Sequence, residues 1–317
     1  MKTSVSRFSP SRVHWLKRLA PRDNDRIGFA LSGGGPLGAL QVGALKALFD
    51  HGVRPDLIVG TSVGALNAAC LAFEPSVTGL ERLEAFWRGL RDEDLFPGSR
   101  FMQTWGRMVR RGDRIFDDSG LRRLIQSALG SDAVFEDAQI PFGAVVADLE
   151  TGAELLFTSG PILKPLLASS AMPGAFPPVE IDGRRYIDGG VVNNVPIAPA
   201  LAMGATTVYA LDSTGHSHQR RPLNRPMDYL MHAFSLARSQ RLVIERKVFE
   251  AERAKVIMIP TAPLNFFVPF TSFAHTDALI ARSYEHTTRF LEGAASDGVA
   301  APDGVAVPRR LEARARG

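Results

Sequence analysis

A single cysteine, Cys70, stands among 317 residues, so no disulfide can close within the chain and nothing marks an oxidising compartment. Set in a stretch of small helix formers, Cys70 reads as a packed thiol. No apolar run reaches the roughly 18 residues of a membrane-spanning helix. Nor does an apolar core of signal-peptide type follow the first basic residues, so the expected compartment is the cytoplasm. Net positive charge is lacking outside the first residues. Residues 1–25 carry Lys2, Arg7, Arg12, Lys17, Arg18 and Arg22 against Asp23 and Asp25, a surplus equal to the whole chain's formal +4. The remainder is formally neutral and lacks the basic face that nucleic-acid binding needs. The glycine-rich stretch Gly33 to Gly38 lacks the Gly-Lys-Ser/Thr ending of a phosphate-binding P-loop, and its spacing does not fit a dinucleotide fingerprint.

What is present is a globular composition, 45% apolar and 22% charged, long enough to bury a substantial core. Residues 1–25 read as an arm outside the fold. Its Trp15, Leu16 and Leu19 share one side of a short basic segment suited to an anionic membrane surface. Ile27 to Leu31 has the pattern of a buried strand. It runs into Ser32-Gly33-Gly34-Gly35-Pro36-Leu37-Gly38 and a helix to about Asp50, then Leu57-Ile58-Val59 gives the next strand. This alternation opens an α/β sheet. Residues 79–130 read as a helical, aromatic-rich segment that covers the site as a cap. Further strands are expected at Gly143–Ala147, Glu154–Phe157, a hairpin turning at Asp182-Gly183, Thr206–Leu211 and Val256–Ile259. Between the last two a long helix runs to about Ala254, and a final helix spans about Ala274 to Glu292. Residues 293–317, rich in Ala, Gly and Pro, read as a disordered tail.

The chemistry centres on Gly60-Thr61-Ser62-Val63-Gly64, placed between a strand and a helix of small residues. In that context Gly-x-Ser-x-Gly is a sharp elbow that lifts a serine hydroxyl out of a sheet, with Gly60 and Gly64 leaving room for it. A serine hydroxyl is a weak nucleophile and needs a base and a site for negative charge. The Gly33 to Gly38 loop, between a strand and a helix, offers unpaired backbone N–H groups for that charge. The base is either Asp188, before two glycines at a strand end, or one of the seven histidines, of which His216 and His218 are best placed. Asp188-Gly189 also serves as a turn former, and the residues by themselves leave both roles open.

Four ordered blocks over roughly residues 26–292 resemble the patatin-like phospholipases. They are the Gly33-Gly34-Gly35-x-x-Gly38 loop, the Ser62 elbow with the later Asp148-Leu149-x-Thr151-Gly152 turn, the run from Ala168 to Val179, and Asp188-Gly189-Gly190 onward to Pro196. The resemblance implies a three-layer α/β/α sandwich with a central, mostly parallel sheet. It implies a lipid acyl-ester hydrolase with Ser62 as nucleophile and Asp188 as base of a histidine-free dyad. Gly33, Gly34, Gly35 and Gly38 would form the oxyanion hole, with no metal and no cofactor. Leu37 stands where the family usually has Arg or Lys, which touches loop anchoring or head-group attraction rather than the backbone donors.

Two other functions fit the same residues. One is an α/β-hydrolase-type esterase with a Ser-His-Asp triad, although only two strands precede Ser62. The other is a non-catalytic lipid- or protein-binding module. The expected partner is a lipid or acyl ester, with peripheral membrane contact through residues 1–25 and through Phe266-Phe267-Val268-Pro269-Phe270.

Overall fold

The computed structural model describes residues 5–8, 26–96, 116–214, 226–251 and 254–297. Its strands are β1 (Val5–Phe8), β2 (Ile27–Leu31), β3 (Leu57–Thr61), β4 (Phe142–Asp148), β5 (Glu154–Phe157), β6 (Val179–Ile181), β7 (Arg184–Asp188), β8 (Thr207–Leu211) and β9 (Lys255–Ile259). They form one nine-stranded sheet in the order β1-β5-β4-β3-β2-β8-β9, with β7 paired to both β4 and β6. The run β4-β3-β2-β8-β9 is parallel throughout, while β5 and β7 lie antiparallel to β4.

Parallel strands need helical crossovers, and those helices cover both faces of the sheet. Phe29, Leu31, Ile58, Ala144 and Val146 enter one apolar core, beneath α1 (Gly38–Asp50), α2 (Val63–Phe73), α3 (Val77–Gly89) and α9 (Thr276–Asp297). Ala30, Leu57, Val59 and Val145 point the other way. They meet α7 (Ile197–Ala202) and the inward residues Leu242 and Phe249 of α8 (Pro226–Ala251). The period-two alternation of each strand therefore divides its side chains between two helical layers, which is the α/β/α sandwich. The remaining helices are α4 (Asp92–Leu95), α5 (Ser119–Leu129) and α6 (Leu163–Ser169). The β6–β7 hairpin turns at Asp182 and Gly183 with φ of 51° and 76°, the two positive values that a tight primed turn requires.

Two boundaries differ from the sequence reading. Val5–Phe8, expected in an arm outside the fold, pairs antiparallel with β5, because an open sheet edge presents unpaired N–H and C=O groups to any extended segment. Helix α9 continues to Asp297, so the first residues expected in the tail are helical. Trp15, Leu16, Leu19 and residues 298–317 lie outside the described residues.

Candidate active site

Strand β3 ends at Thr61 and α2 begins at Val63, leaving Ser62 alone at the turn with φ 55° and ψ −127°. A non-glycine residue there is strained, and the surroundings must hold it. They do so by close approach. A Cβ on Gly60 would lie 2.2 Å from the Gly64 carbonyl oxygen, and one on Gly64 would lie 2.2 Å from that of Leu31. The Ser62 N–H donates to the Ser169 hydroxyl at 2.8 Å, and that hydroxyl donates to the Val145 carbonyl at 2.7 Å. Ser169, at the end of α6, thus ties the elbow to the middle of β4.

Strand β7 delivers Asp188 opposite Val146. The carboxylate is buried, accepts a hydrogen bond from the Gly190 N–H at 2.7 Å, and has the Ser62 hydroxyl as a polar neighbour that favours its charged form. Burial pushes its pKa above the ordinary carboxylate value. The Ser62 hydroxyl, the Gly190 amide and the Arg238 guanidinium partly oppose that rise. No histidine lines the cavity at Ser62 among the described residues. His216 and His218 lie outside the described residues.

The four loop glycines are not equivalent. The Gly33 N–H donates to the Asn194 carbonyl at 3.2 Å, and the Gly38 N–H is spent on the carbonyls of Gly35 and Pro36. Both of these amides are thus already paired with backbone carbonyls. Among the described residues the amides of Gly34 and Gly35 meet no protein acceptor. Gly33 is needed for space instead, since a Cβ there would stand 3.1 Å from that of Ser62. Leu37, where a basic residue was expected, packs against the apolar core under the loop.

Several site residues escaped the sequence reading. Gln41 donates to the Ser32 carbonyl at 2.7 Å and accepts from the Asn67 amide at 2.9 Å, while the Trp87 indole donates to Asn67 at 2.8 Å. This buried chain anchors the glycine loop to α1, α2 and α3. The available signal was a lone amide inside each of two otherwise apolar helices, since a buried amide requires partners. Ser169, Asn194 and Arg238 gave no such signal.

A cavity opens from Ser62 and Gly35 and runs along α2 past Leu66 to Cys70. Phe86 and Trp87 of α3, Leu90 just after it, Leu121 and Ile125 of α5, and Phe270 and Phe273 are among the apolar residues of its wall. Burial pushes the Cys70 thiol up to about 12, which keeps it an inert part of that wall. Of the expected membrane segment, Phe270 turns inward to this cavity, Val268 is buried, and only Phe267 of the large side chains is well exposed.

A family model described as patatin-like phospholipase matches residues 29–201, more than half of the chain. The chain belongs to the patatin-like phospholipase family. Within that family it is 32% identical over 215 residues to patatin-like phospholipase domain-containing protein 7 of Rattus norvegicus, covering 67% of this chain and 15% of the relative. It is 31% identical over 225 residues to domain-containing protein 6 of Homo sapiens, covering 65% and 16%. Lysophospholipase NTE1 of Mycosarcoma maydis is 30% identical over 194 residues, covering 59% and 10%. The chain therefore spans about a sixth or less of these patatin-like relatives. Among solved structures it is similar to VipD of Legionella pneumophila at 14% identity and a TM-score of 0.48, covering 85% of this chain and 67% of that one.

Proposed function

We propose that the protein hydrolyses acyl esters of lipids through a Ser62–Asp188 dyad. The observation that carries this reading is the strained elbow that sets the Ser62 hydroxyl at the mouth of an apolar cavity, with the buried Asp188 carboxylate as its neighbour. An aspartate with a raised pKa is a better base than an ordinary one, and it stands in reach of the proton it must take. Ser62 Oγ attacks the ester carbonyl carbon as Asp188 accepts the hydroxyl proton. The carbonyl oxygen becomes an oxyanion facing the free amides of Gly34 and Gly35, at the N-terminal end of α1. The intermediate then expels the alcohol, protonated by Asp188, and leaves an acyl-serine. Asp188 next takes a proton from water. The hydroxide so formed attacks the acyl carbon, and the second oxyanion collapses to the carboxylic acid as Asp188 returns the proton to the departing Ser62 Oγ.

The acyl chain lies along α2 between Leu66, Cys70 and the α3 and α5 side chains, where the surface is predominantly apolar. The names of lysophospholipase and esterase relatives support a lipid ester as substrate. Among the described residues no helix is long and apolar enough to cross a membrane; a lipid ester held in a bilayer would be reached peripherally, and the proposed compartment is the cytoplasm. The function is tested by incubating the chain with p-nitrophenyl esters, lysophospholipids, phospholipids and acylglycerols beside its Ser62→Ala variant. Hydrolysis of at least one lipid class by the intact chain alone is expected. Equal hydrolysis by the variant would remove Ser62 from the mechanism.

A further inference from the structure

Behind Asp188, on the face away from the acyl cavity, lies a second, polar cavity between the Gly189–Val191 turn, the end of β8 and helix α8. Gly190, Asn194, Asp212, Thr214, Arg238 and Arg241 are among its walls. The two arginines are used differently. Arg241 donates to Glu154 at 3.0 Å and to Glu245 at 2.8 Å, and Glu154 also accepts from the Asn193 amide. Its charge is therefore balanced by two carboxylates of its own. Arg238, almost one helical turn earlier, instead lies within electrostatic reach of Asp188 and Asp212 among the described residues. Its Nε and Nη2 atoms are shut off from solvent, so its field acts through protein rather than water. The Asp188 carboxylate and the Arg238 guanidinium both stand beside Gly190. A Cβ there would meet the Asp188 carboxylate at 3.0 Å and the Arg238 guanidinium carbon at 4.0 Å. Asp212 is held in place by the N–H and the hydroxyl of Thr214, both at 2.8 Å.

We propose that Arg238 is a positioning residue of the dyad, a cation whose guanidinium is enclosed near both Asp188 and Asp212 and keeps the Asp188 carboxylate ionised for Ser62. This inference rests on the dyad reading above. A base buried beside an apolar cavity meets a conflict, because desolvation alone would leave it protonated and useless at neutral pH. The groups around it are few. The Gly190 amide donates to it and the Ser62 hydroxyl is its polar neighbour, while the charges of β4 and α6 are used elsewhere, Asp148 on Arg184 and Lys164 on the Glu180 carbonyl. Asp212 carries like charge, and Glu154 and Glu245 are taken by Arg241. Arg238 is thus the cation on the described elements that offsets the burial of Asp188. Asp212 in turn limits that effect by drawing on the same guanidinium.

Opposite shifts follow from the two partners. The measurement is the pH dependence of kcat/KM for a soluble p-nitrophenyl ester, with folding followed by thermal melting. In Arg238→Met the acidic limb should move up by about one pH unit or more, with lost activity regained at higher pH and KM little changed. Arg238→Lys, a cation without the planar fork, should fall between. In Asp212→Asn the limb should move down, because the guanidinium then serves Asp188 alone. A merely structural role lowers activity equally at every pH, and limbs unmoved in both Arg238→Met and Asp212→Asn would overturn the proposal. If Arg238→Met does not fold, the downward shift of Asp212→Asn supports the proposal and its absence overturns it. Ser62→Ala is run alongside. Ester hydrolysis surviving in that variant defeats the dyad itself, whereas unmoved limbs with Ser62 essential defeat only the role of Arg238.

Discussion

Thr61 and Asp188 occupy successive places on one edge of β4, Thr61 opposite Val145 and Asp188 opposite Val146. Strand β3 runs parallel to β4 and β7 runs antiparallel, so their C-terminal ends meet head to head. Neither can continue. One chain leaves as the Ser62 elbow and the other as the Gly189 turn, where a Cβ would stand 2.3 Å from the Val145 carbonyl oxygen. The serine and the carboxylate are thereby held together by the sheet itself rather than by a mobile loop.

Asp188→Asn should lower ester turnover by roughly a hundred- to ten-thousand-fold, the range for losing a positioned base. Single replacement of His232, His275 or His286 should leave it close to that of the intact chain. Stability should move the other way. The folded-state pKa of Asp188 is raised, so ionisation costs stability above that value, and the cost vanishes below the unfolded value near about 3.9. Asp188→Asn should therefore melt at a higher temperature than the intact chain at pH 7, with no such gain below about pH 4. A lower melting temperature at pH 7 would contradict the burial argument.

Asp148 carries the opposite sign. Burial works against its charge, but the Thr151 and Glu150 amides and Arg184 outweigh it and hold its pKa below the ordinary value. Its contribution is present above the unfolded pKa and is lost as pH falls through the depressed folded one. Asp148→Ala should cost about 2 kcal/mol at neutral pH, as for hydrogen bonds to a charged group. Denaturant titrations at pH 7 and at pH 3 should show that cost shrinking with acid. A cost independent of pH would mean that packing, not charge, is what Asp148 supplies.

Gly35→Ala should reduce kcat by about a hundredfold or more while KM changes little, because oxyanion donors act chiefly in the transition state. Gly35 has φ of 56°, and a Cβ would press on Phe270 at 3.0 Å, so the substitution moves the amide. Gly34→Ala should be milder, its nearest neighbour being the Ser213 Cβ at 3.3 Å. Leu37→Arg should retain turnover, since its side chain lies outside the donor set. Steady-state kinetics on one soluble ester decide the order, and equal turnover in all three variants would exclude the loop from charge stabilisation.

Cys70→Trp should shorten the preferred acyl chain. Cys70 lies two turns beyond Ser62 on the same face of α2, on the order of 12 Å along the helix axis, and lines the same cavity. A bulky side chain there should leave short-chain p-nitrophenyl esters as reactive as before and suppress long-chain ones. Uniform loss across chain lengths would place the acyl chain elsewhere.

The sequence by itself determined the local pieces of this protein. Buried strands, the strained serine between strand and helix, and the Asp182-Gly183 hairpin are set by short-range rules of side-chain period, glycine placement and backbone angle, so neighbouring residues suffice to read them. The tertiary structure decided the rest. Which amides of the glycine loop stay free depends on Asn194, far along the chain, taking the Gly33 N–H for its carbonyl. Val5–Phe8 joins the sheet only because β5 leaves an edge open. Arg238 reaches Asp188 only once α8 has packed over the Gly189–Val191 turn, and its spacing on α8 carries no mark of that. Hydrogen-bond partners and burial are properties of the packed chain, since each depends on residues far apart in sequence being brought within a few ångströms.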